Sequence, residues 1–512
     1  MKNEASASNG AEAGSREWAG LAVLALPTLL VSLDIGVLFL ALPHLSADLG
    51  ADGAQQLWIT DIYGFMLSGF LIIMGTLGDR IGRRRLLLIG AAGFGLASAL
   101  AAFSLTPGML IAARALLGIA GATLMPSTLA LISTMFTHPR QRGVAISVWA
   151  TCQFTGAALG PIVGGLLLER FWWGAAFLLG VPVMVLLLAL GPALLPEARN
   201  PDAGRIDLPS AALSLAAILP VVYGVKELAV HGVAFTALAA IAFGVAFGAV
   251  FIHRQFKLDD PLLDLRLLSR PSIGATLTAM LLIGACLAGM FLLTSQYLQS
   301  VLGLSPTAAG LWTAFGGLSI ATGTLLSPLL TRRLRSTVAI TAGLVLSLFG
   351  FLLLTRVPAQ DGLVAAVAGI SLIHLGAGPL VSLGTGLVVG GAPPERAGSA
   401  ASMSETSNHL GSTLGMAALG TLAAAIYGSR MAGFDGEAGQ TVAGAQATAS
   451  QLPQGQAEAL LDAAHSAFTA GLNAAAWAGA ATAAGLVVLL AVALRRAGSS
   501  AAAGEPSATE PH

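Results

Sequence analysis

The segment GTLGDRIGRRR, residues 75–85, joins two apolar runs of the sequence, 57–78 and 86–104. Each run holds about 20 residues, the length at which an α-helix crosses the hydrocarbon core of a bilayer. The segment itself carries one acid, Asp79, and four arginines. Basic turns of this kind collect on one side of a membrane. The sequence therefore predicts a pair of membrane-crossing helices joined by a short charged turn.

The composition of the whole chain supports the same interpretation. Of its 512 residues, 55% are hydrophobic and 10% are charged, whereas soluble domains have about 25% charged residues. A chain with so few charges lacks the polar surface of a water-soluble protein. Its formal net charge is zero, which argues against a nucleic-acid-binding protein. We therefore predict a polytopic membrane protein, in which the 63 glycines allow helices to pack closely.

Fourteen apolar runs are long enough to span a membrane, in the order six, two and six. They are residues 18–42, 57–78, 86–104, 108–133, 143–168, 174–195, 209–227, 232–252, 273–298, 306–330, 337–355, 364–391, 398–427 and 468–494. The signal is weakest at 209–227 and 364–391. A second basic turn, 331–335, follows the second run of the last group, as 79–85 follows the second run of the first group. We therefore predict an all-α fold with two related six-helix bundles and an inserted two-helix hairpin.

The predicted organisation assigns every part of the chain to a bundle, a linker or a tail. It comprises a tail at 1–17, a first bundle at 18–195, a linker with the extra hairpin at 196–272, a second bundle at 273–494 that includes a long loop at 428–467, and a tail at 495–512. Within the long loop, 456–465 is a candidate short helix.

The basic residues predict the orientation of this arrangement. If both tails are cytoplasmic, most Lys and Arg residues fall in inner loops, and the outer side holds Arg170, Lys226, Arg356 and Arg430. That asymmetry is what the positive-inside rule demands. The large excess of Arg over Lys, with abundant Ala and Gly, is associated with GC-rich bacteria. We expect a multi-pass protein of a bacterial plasma membrane.

Carboxylates inside predicted spans are the first candidates for function, because ionisable groups are costly in a bilayer. Asp34 lies near the middle of the first span. Asp61 lies in the second span, three residues after Trp58 and on the same helix face. A buried carboxylate can take up and release protons or attract an organic cation, and the indole of Trp58 offers a π face to a cation. The alternative is a structural ion pair with Arg114 of the fourth span.

A second candidate is the pair Glu405 and His409, one helical turn apart in the thirteenth span. An acid and a histidine stacked in a membrane could relay protons or hold a cation. The alternative is a pair that merely stabilises the helix. His374, in the preceding span, is interpreted as a packing residue.

The fifth span carries a glycine pattern that favours close helix packing. Gly156, Gly160 and Gly164 recur every fourth residue, with Pro161 and Gly165 among them. The glycines form a smooth ridge, and the proline removes a helix hydrogen bond and favours a kink. We expect a packing surface that also acts as a hinge.

Other features argue against metal, redox and nucleotide chemistry. Cys152 and Cys286 lie in separate apolar runs, where neither a disulfide nor a metal site is expected. Asp259, Asp260 and Asp264 stand near arginines in a loop and are interpreted as a solvated charged segment. The sequence has no Walker A motif. We therefore expect no cofactor, no metal and no use of ATP, with an ion gradient as the energy source.

The motifs taken together resemble the major facilitator superfamily, and within it the fourteen-helix drug/proton antiporters. The resemblance rests on 75–85, on the helix-4 stretch 110–121, on the glycine-proline stretch 156–165, on the helix-1 stretch 33–43 and on 56–63. The last stretch is similar to multidrug exporters for quaternary ammonium compounds, dyes and biguanides. The chain departs from the pattern at Ile35 and Gly36, where a Thr is common, and in having no acid in the tenth span, 306–330.

The resemblance implies roles for particular residues. Asp79, Arg80 and Arg83 would form a cytoplasmic latch between the two halves. Arg114 would assist proton coupling. The protonatable or cation-recognising acids would be Asp34, Asp61 and Glu405. His409 stands where some relatives have an acid.

We therefore expect a monomeric, proton-coupled antiporter that exports lipophilic cationic drugs, with protons and membrane lipids as its other partners and no enzyme activity. One alternative is an exporter dedicated to a single endogenous metabolite or antibiotic. A more distant alternative is a membrane sensor with a transporter-like body.

Overall fold

The structure is a computed structural model that describes residues 13–51, 53–168, 170–197, 207–231, 234–258, 271–393, 397–434, 436–439 and 441–502. In the first part of the chain the helices are α1 (Ser15–Leu49), α2 (Gly53–Ile81), α3 (Arg83–Ala102), α4 (Pro107–Met135), α5 (Pro139–Leu168), α6 (Ala175–Leu178) and α7 (Gly180–Leu194). A hairpin follows, α8 (Leu208–His231) and α9 (Phe235–Lys257). The last part has α10 (Pro271–Gln296), α11 (Pro306–Leu330), α12 (Ser336–Leu354), α13 (Leu363–Gly390), α14 (Ala397–Arg430), α15 (Val442–Ala449) and α16 (Gln454–Ala502).

The helices confirm the expected all-α membrane fold. Thirteen stretches of the described chain are long and apolar enough to cross a membrane, and α5, bent by 49°, brings the number to 14. The two weakest runs of the sequence, 209–227 and 364–391, correspond to the complete helices α8 and α13. The bend in α5 falls between Ala157 and Ile162, where a proline, Pro161, was expected to produce a kink.

The two groups of six spans repeat one packing pattern. In the first half, α1 packs on α5, α2 on α4, and α3 on both α4 and α7. In the second half, α10 packs on α14, α11 on α13, and α12 on both α13 and α16. The correspondence of these contacts shows that the halves are structural repeats, as the two basic turns indicated.

The halves meet along two seams. Along one seam α5 packs on α11 and α13, and along the other α2 and α4 pack on α14. The hairpin α8–α9 lies beside the second seam, because α8 packs on both α2 and α14. The end of the bundle at which α2 finishes and α3 begins is called the latch end below.

A polar cluster joins the two helices of the hairpin at their latch ends. Arg254 donates from Nη2 to Asp207 Oδ1 at 3.0 Å, and Ser210 donates to Asp207 Oδ2 at 2.6 Å. The hydrogen bond from Arg254 is the main cause of a lowered pKa at Asp207; burial acts in the opposite direction, and the hydrogen bond from Ser210 adds to the lowering. The hairpin is thereby fixed at one end by a charge-assisted interaction.

Glycines allow the closest helix contacts in both halves. A Cβ atom on Gly156 would collide with the carbonyl oxygen of Leu29 in α1. In the second half, a Cβ on Gly411 or Gly415 of α14 would collide with the backbone of Leu281 or Ala285 in α10. The ridge recognised in α5 is thus repeated in α14.

The long loop 428–467 contains ordered structure. The candidate helix 456–465 is the beginning of α16, which starts at Gln454 and continues into the last span. A small apolar cluster that includes Met431, Val442, Ala445 and Leu460 holds α15 against this extension. Gln446 donates to the carbonyl oxygen of Ser300 at 3.1 Å, which fixes α15 to the π-helical turn Tyr297–Val301 that ends α10.

Candidate functional site

The carboxylate of Asp34 in α1 forms an ion pair with the guanidinium of Arg114 in α4. The side chains are 11% and 1% exposed, respectively. Arg114 also donates from Nε to the carbonyl oxygen of Ile59 in α2 at 3.2 Å, and its Cζ lies 4.6 Å from the centre of the Tyr63 ring. One buried arginine therefore ties together three helices of the first half. Sequence analysis left two interpretations of Asp34 open, an acid that binds a proton or a cation and a structural ion pair with Arg114. The structure shows the ion pair.

The ion pair limits what Asp34 can do chemically. Arg114 stays charged at all physiological pH values. If Asp34 were neutralised by a proton, the guanidinium would be left buried without its counter-ion, which is strongly unfavourable. A proton or an organic cation at Asp34 must therefore compete with Arg114.

The second predicted acid of the first half, Asp61, has a side chain outside the described residues. Trp58, three residues earlier, is 42% exposed. Its ring stands perpendicular to that of Phe65, with centres 6.1 Å apart. One face of the indole is therefore open to a cation or to lipid.

The acid of the second half, Glu405, is 1% exposed, and neither carboxylate oxygen has a hydrogen bond of normal geometry to the described residues. His409 Nε2 lies 3.9 Å from Glu405 Oε2, one turn along α14. This nitrogen and the hydroxyl of Thr406 are also buried without hydrogen-bond partners among the described residues.

This clustering is unusual, because buried polar atoms in proteins are normally hydrogen-bonded. Four such atoms lie within about one turn of α14. A carboxylate in this position can be satisfied by a proton or by a small or organic cation. The site around Glu405 is therefore suited to exchange one positive charge for another.

His374 has the packing environment that was expected. It is buried in α13, and its Nδ1 lies 2.8 Å from the carbonyl oxygen of Ile370. Gly316 of α11 packs close to the imidazole. The ring fills a gap between two helices of the second half.

Asp79, Arg80 and Arg83 are all buried at the latch end. Asp79 forms an ion pair with Arg83, and it accepts a hydrogen bond of 3.2 Å from the backbone N–H of Ser399. Ser399 lies in the first turn of α14, where a carboxylate interacts favourably with the helix dipole. The turn of the first half therefore contacts the second half through Asp79.

A set of hydroxyl groups joins the halves deeper in the bundle. Ser147 and Ser382 Oγ atoms are 2.5 Å apart, and the Thr151 and Thr324 Oγ1 atoms are 2.9 Å apart. We call these four side chains the hydroxyl clasp. Sequence reasoning missed it, although Ser147 and Thr151 stand four residues apart on α5 and so share a helix face.

The glycine ridge of α5 contacts the helix that carries Asp34. Gly160 packs against Leu33 and Gly36, the neighbours of Asp34 in α1. The side chain of Pro161 and the surroundings of Gly165 lie outside the described residues. The ridge thus joins the helix of the hydroxyl clasp to the helix of the buried ion pair.

No group of three or more His, Cys, Asp or Glu side chains that could hold a metal ion occurs in the part of the chain that the structure describes. Cys152 and Cys286 are free thiols. Asp259, Asp260 and Asp264 lie outside the described residues.

Comparison with known proteins gives one family. Residues 24–416 match the model of the Major Facilitator Superfamily. The chain is 43% identical over 465 residues to the multidrug efflux pump LfrA of Mycolicibacterium smegmatis, across 90% of this chain and 92% of that protein. It is 34% identical over 469 residues to the methyl viologen resistance protein SmvA of Salmonella typhimurium, across 88% and 93% of the two chains. The crystal structure of the human organic anion transporter MFSD10 superposes with a TM-score of 0.59 at 18% identity, over 93% of this chain and 99% of that one, which supports the fold alone.

Proposed function

The chain belongs to the Major Facilitator Superfamily and is a multi-pass membrane transporter of its drug-efflux group, and on that premise we propose that it exports lipophilic cations in exchange for protons. Two similar proteins are named for multidrug efflux and for resistance to methyl viologen. Methyl viologen carries quaternary nitrogens, so its positive charge is permanent. Cationic drugs, quaternary ammonium compounds and dyes are therefore the proposed substrate class.

The observation that carries the proposal is the buried carboxylate of Glu405, which has no hydrogen bond of normal geometry among the described residues. A proton and an organic cation each neutralise this carboxylate, and one displaces the other. A transporter that binds the two ligands in alternation, at one site, couples their movements in opposite directions. His409, whose Nε2 lies 3.9 Å from Glu405 Oε2, is proposed to contact the bound cation or to pass on the proton.

Asp34 and Arg114 are proposed to form the second coupled group. A proton that neutralises Asp34 would release Arg114 to another acceptor, and loss of the proton would restore the pair. Asp61 and Trp58 are proposed to contribute to cation recognition on α2. The proposed resting form is a monomer driven by the proton gradient, without a cofactor.

The direction of export follows from the proposed orientation. Positive residues at the turns 79–85 and 331–335 favour a cytoplasmic position for the latch end. Asp79 at that end and the hydroxyl clasp deeper in the bundle hold the two halves together. The described arrangement of the helices would then be closed to the cytoplasm. The drug would bind from the cytoplasm in a second arrangement, in which the latch end is open.

Transport in proteoliposomes tests the proposal. Purified protein would be reconstituted with an acidic lumen and given tetraphenylphosphonium, methyl viologen or ethidium outside. We expect accumulation that collapses when nigericin abolishes the pH difference. Failure of all three cations to accumulate would contradict the proposal. Protection of cells against a single endogenous compound, with no movement of these cations, would instead favour a dedicated exporter.

A further inference from the structure

A cavity lies at the end of the bundle opposite the latch end. Its volume is about 440 Å³, and it is lined by the last residue of α14, the segment after α12 and the middle of α16. Because Ser399 in the first turn of α14 contacts Asp79 at the latch end, Arg430, the last residue of α14, lies at the opposite end. The volume is in the range of sites for small ligands.

The charge of this cavity is positive. Arg430 is the charged residue among the described residues that line it, and its side chain is exposed. The polar residues that α16 contributes, Ser466, Thr469 and Asn473, carry no charge. A cavity of this kind repels the lipophilic cations proposed as transport substrates and attracts an anion. The planar guanidinium of an arginine matches a phosphate group in particular.

Asn473 adds a second polar feature to the cavity. Its Nδ2 donates to the carbonyl oxygen of Val357 at 3.2 Å, which fixes the orientation of the amide. The other atom of the amide, Oδ1, is buried and has no hydrogen-bond partner among the described residues. Because buried polar atoms are normally hydrogen-bonded, this acceptor is suited to a donor supplied by a ligand, such as a hydroxyl group.

The cavity opens onto an apolar face of α16. Trp477, which lines the cavity, is 56% exposed, and Ala481, Gly485 and Val488 continue the same exposed face at helical spacing. These residues belong to a candidate membrane span, so their exposed face contacts lipid. Tryptophan is frequent where such spans meet the membrane surface. A ligand of the cavity can therefore extend an apolar part into the bilayer along α16.

We propose that this cavity binds the headgroup of an anionic phospholipid from the leaflet opposite the latch end. Arg430 contacts the phosphate, and Asn473 Oδ1 accepts a hydrogen bond from a headgroup hydroxyl, as in phosphatidylglycerol. An acyl chain lies against Trp477 and the small residues below it. The bound lipid joins the end of α14 to α16. This binding site goes beyond the proposed exchange, in which none of these residues takes part.

A free phosphate ester is the other source of the same headgroup chemistry. It would use Arg430 and Asn473 but would gain nothing from the apolar face of α16. Gly485 has no atom within 4 Å of an added Cβ, so the face below the cavity leaves room for a chain. The apolar face therefore favours the lipid.

Native mass spectrometry of the full-length protein in detergent tests the inference, because it counts the lipids that remain bound. The probes are phosphatidylglycerol and phosphatidylcholine, which both carry a phosphate, although phosphatidylcholine has no headgroup hydroxyl. We expect the first phosphatidylglycerol to bind about tenfold more tightly than the first phosphatidylcholine. Arg430→Gln should weaken the binding of phosphatidylglycerol by about tenfold. Asn473→Ala should abolish the preference between the two lipids.

A matched control comes from the same end of the molecule. Arg356→Gln removes an exposed arginine that follows α12 and does not line the cavity, and it should leave lipid binding unchanged. Melting temperatures without added lipid show whether each variant is folded. If Asn473→Ala is unstable, because it loses the bond to Val357, the comparison of Arg430→Gln with Arg356→Gln decides the test.

Two results would overturn the inference. The first is equal binding of phosphatidylglycerol by the wild type, Arg430→Gln and Arg356→Gln. The second is displacement of phosphatidylglycerol by soluble glycerol phosphate at a similar concentration, which would show a site for a free phosphate ester. Failure of glycerol phosphate to compete, together with a loss of binding in Arg430→Gln alone, supports the lipid site.

Discussion

Asp34 and Arg114 lie on different helices of the first half and form an ion pair that is almost completely removed from the surface. Their pairing makes the stability of the half depend on the charge of Asp34. Arg114, at 1% exposure, cannot lose its own charge. Neutralising Asp34 would therefore leave a buried charge without a counter-ion, which destabilises the folded bundle.

The variant Asp34→Asn should therefore lose stability as well as exchange. Breaking a buried pair by removing one partner costs about 3–5 kcal/mol, and we expect a lower melting temperature in detergent. The double variant Asp34→Asn/Arg114→Met should recover much of that stability without recovering exchange. An Asp34→Asn protein with the melting temperature and the exchange rate of the wild type would contradict this account of the pair.

The contact from Asp79 to Ser399 predicts an effect on conformation. Asp79→Asn removes a negative charge from the first turn of α14 and weakens a helix-terminus interaction worth about 1 kcal/mol. We expect the open latch end to become about fivefold more populated, measured as alkylation of a cysteine placed at Ile146, a buried residue of α5 that faces Gly386 of α13, in a background without Cys152 and Cys286. Arg84→Gln, on the same turn but bonded to Pro192 and Leu195 of its own half, serves as the control. Equal alkylation in all three proteins would show that the Asp79 contact does not hold the latch end closed.

The hydroxyl clasp predicts a reversible block of transport. Thr151 and Thr324 have their hydroxyl oxygens 2.9 Å apart across the seam between the halves, so cysteines there should be close enough for a disulfide. In a background without Cys152 and Cys286, the oxidised double variant Thr151→Cys/Thr324→Cys should stop transport, and dithiothreitol should restore it. Each single cysteine variant should be insensitive to oxidant. Full transport by the cross-linked protein would mean that this seam does not open.

The repeated glycine ridge predicts a contrast between two positions in α14. Alanine at an unobstructed helical glycine normally stabilises a helix by about 1 kcal/mol, and Gly420 has no atom within 4 Å of an added Cβ. Gly411→Ala would instead push against the backbone of Leu281, with an expected loss of about 2 kcal/mol. Thermal unfolding of the two variants measures the difference. A Gly411→Ala protein as stable as Gly420→Ala would show that α10 and α14 are not closely packed there.

The sequence predicted the spans well because hydropathy and length act directly on membrane insertion. Even the two weak runs form complete helices, α8 and α13. The turn at 79–85 and the similar turn at 331–335 indicated two related halves. Both the charge of a loop and the order of the helices follow directly from the order of residues in the sequence.

The site was predicted less completely, because contacts between side chains of different helices depend on how the helices pack. The order of residues in the sequence does not show that packing. Asp34, Arg114 and Glu405 stood out as charges within apolar runs, and the Asp34–Arg114 pair was one of two open alternatives.

Other features were missed although a signal existed. Gly411 and Gly415 stand four residues apart in α14, the same spacing that identified the ridge in α5. The serine and threonine members of the hydroxyl clasp are common residues of membrane helices. Only the packing of α5 on α11 and α13 distinguishes them from ordinary polar side chains.

The central claim is that Glu405 exchanges a proton for a cationic drug. Its most direct measurement is the proton released when tetraphenylphosphonium binds to purified protein in weakly buffered detergent solution, recorded with a pH-sensitive dye. The account predicts equal release by the wild type and by the variant Glu458→Gln, which removes an acid exposed on α16, and diminished release by the variant Glu405→Gln. Undiminished proton release by Glu405→Gln, with drug binding retained, would contradict it.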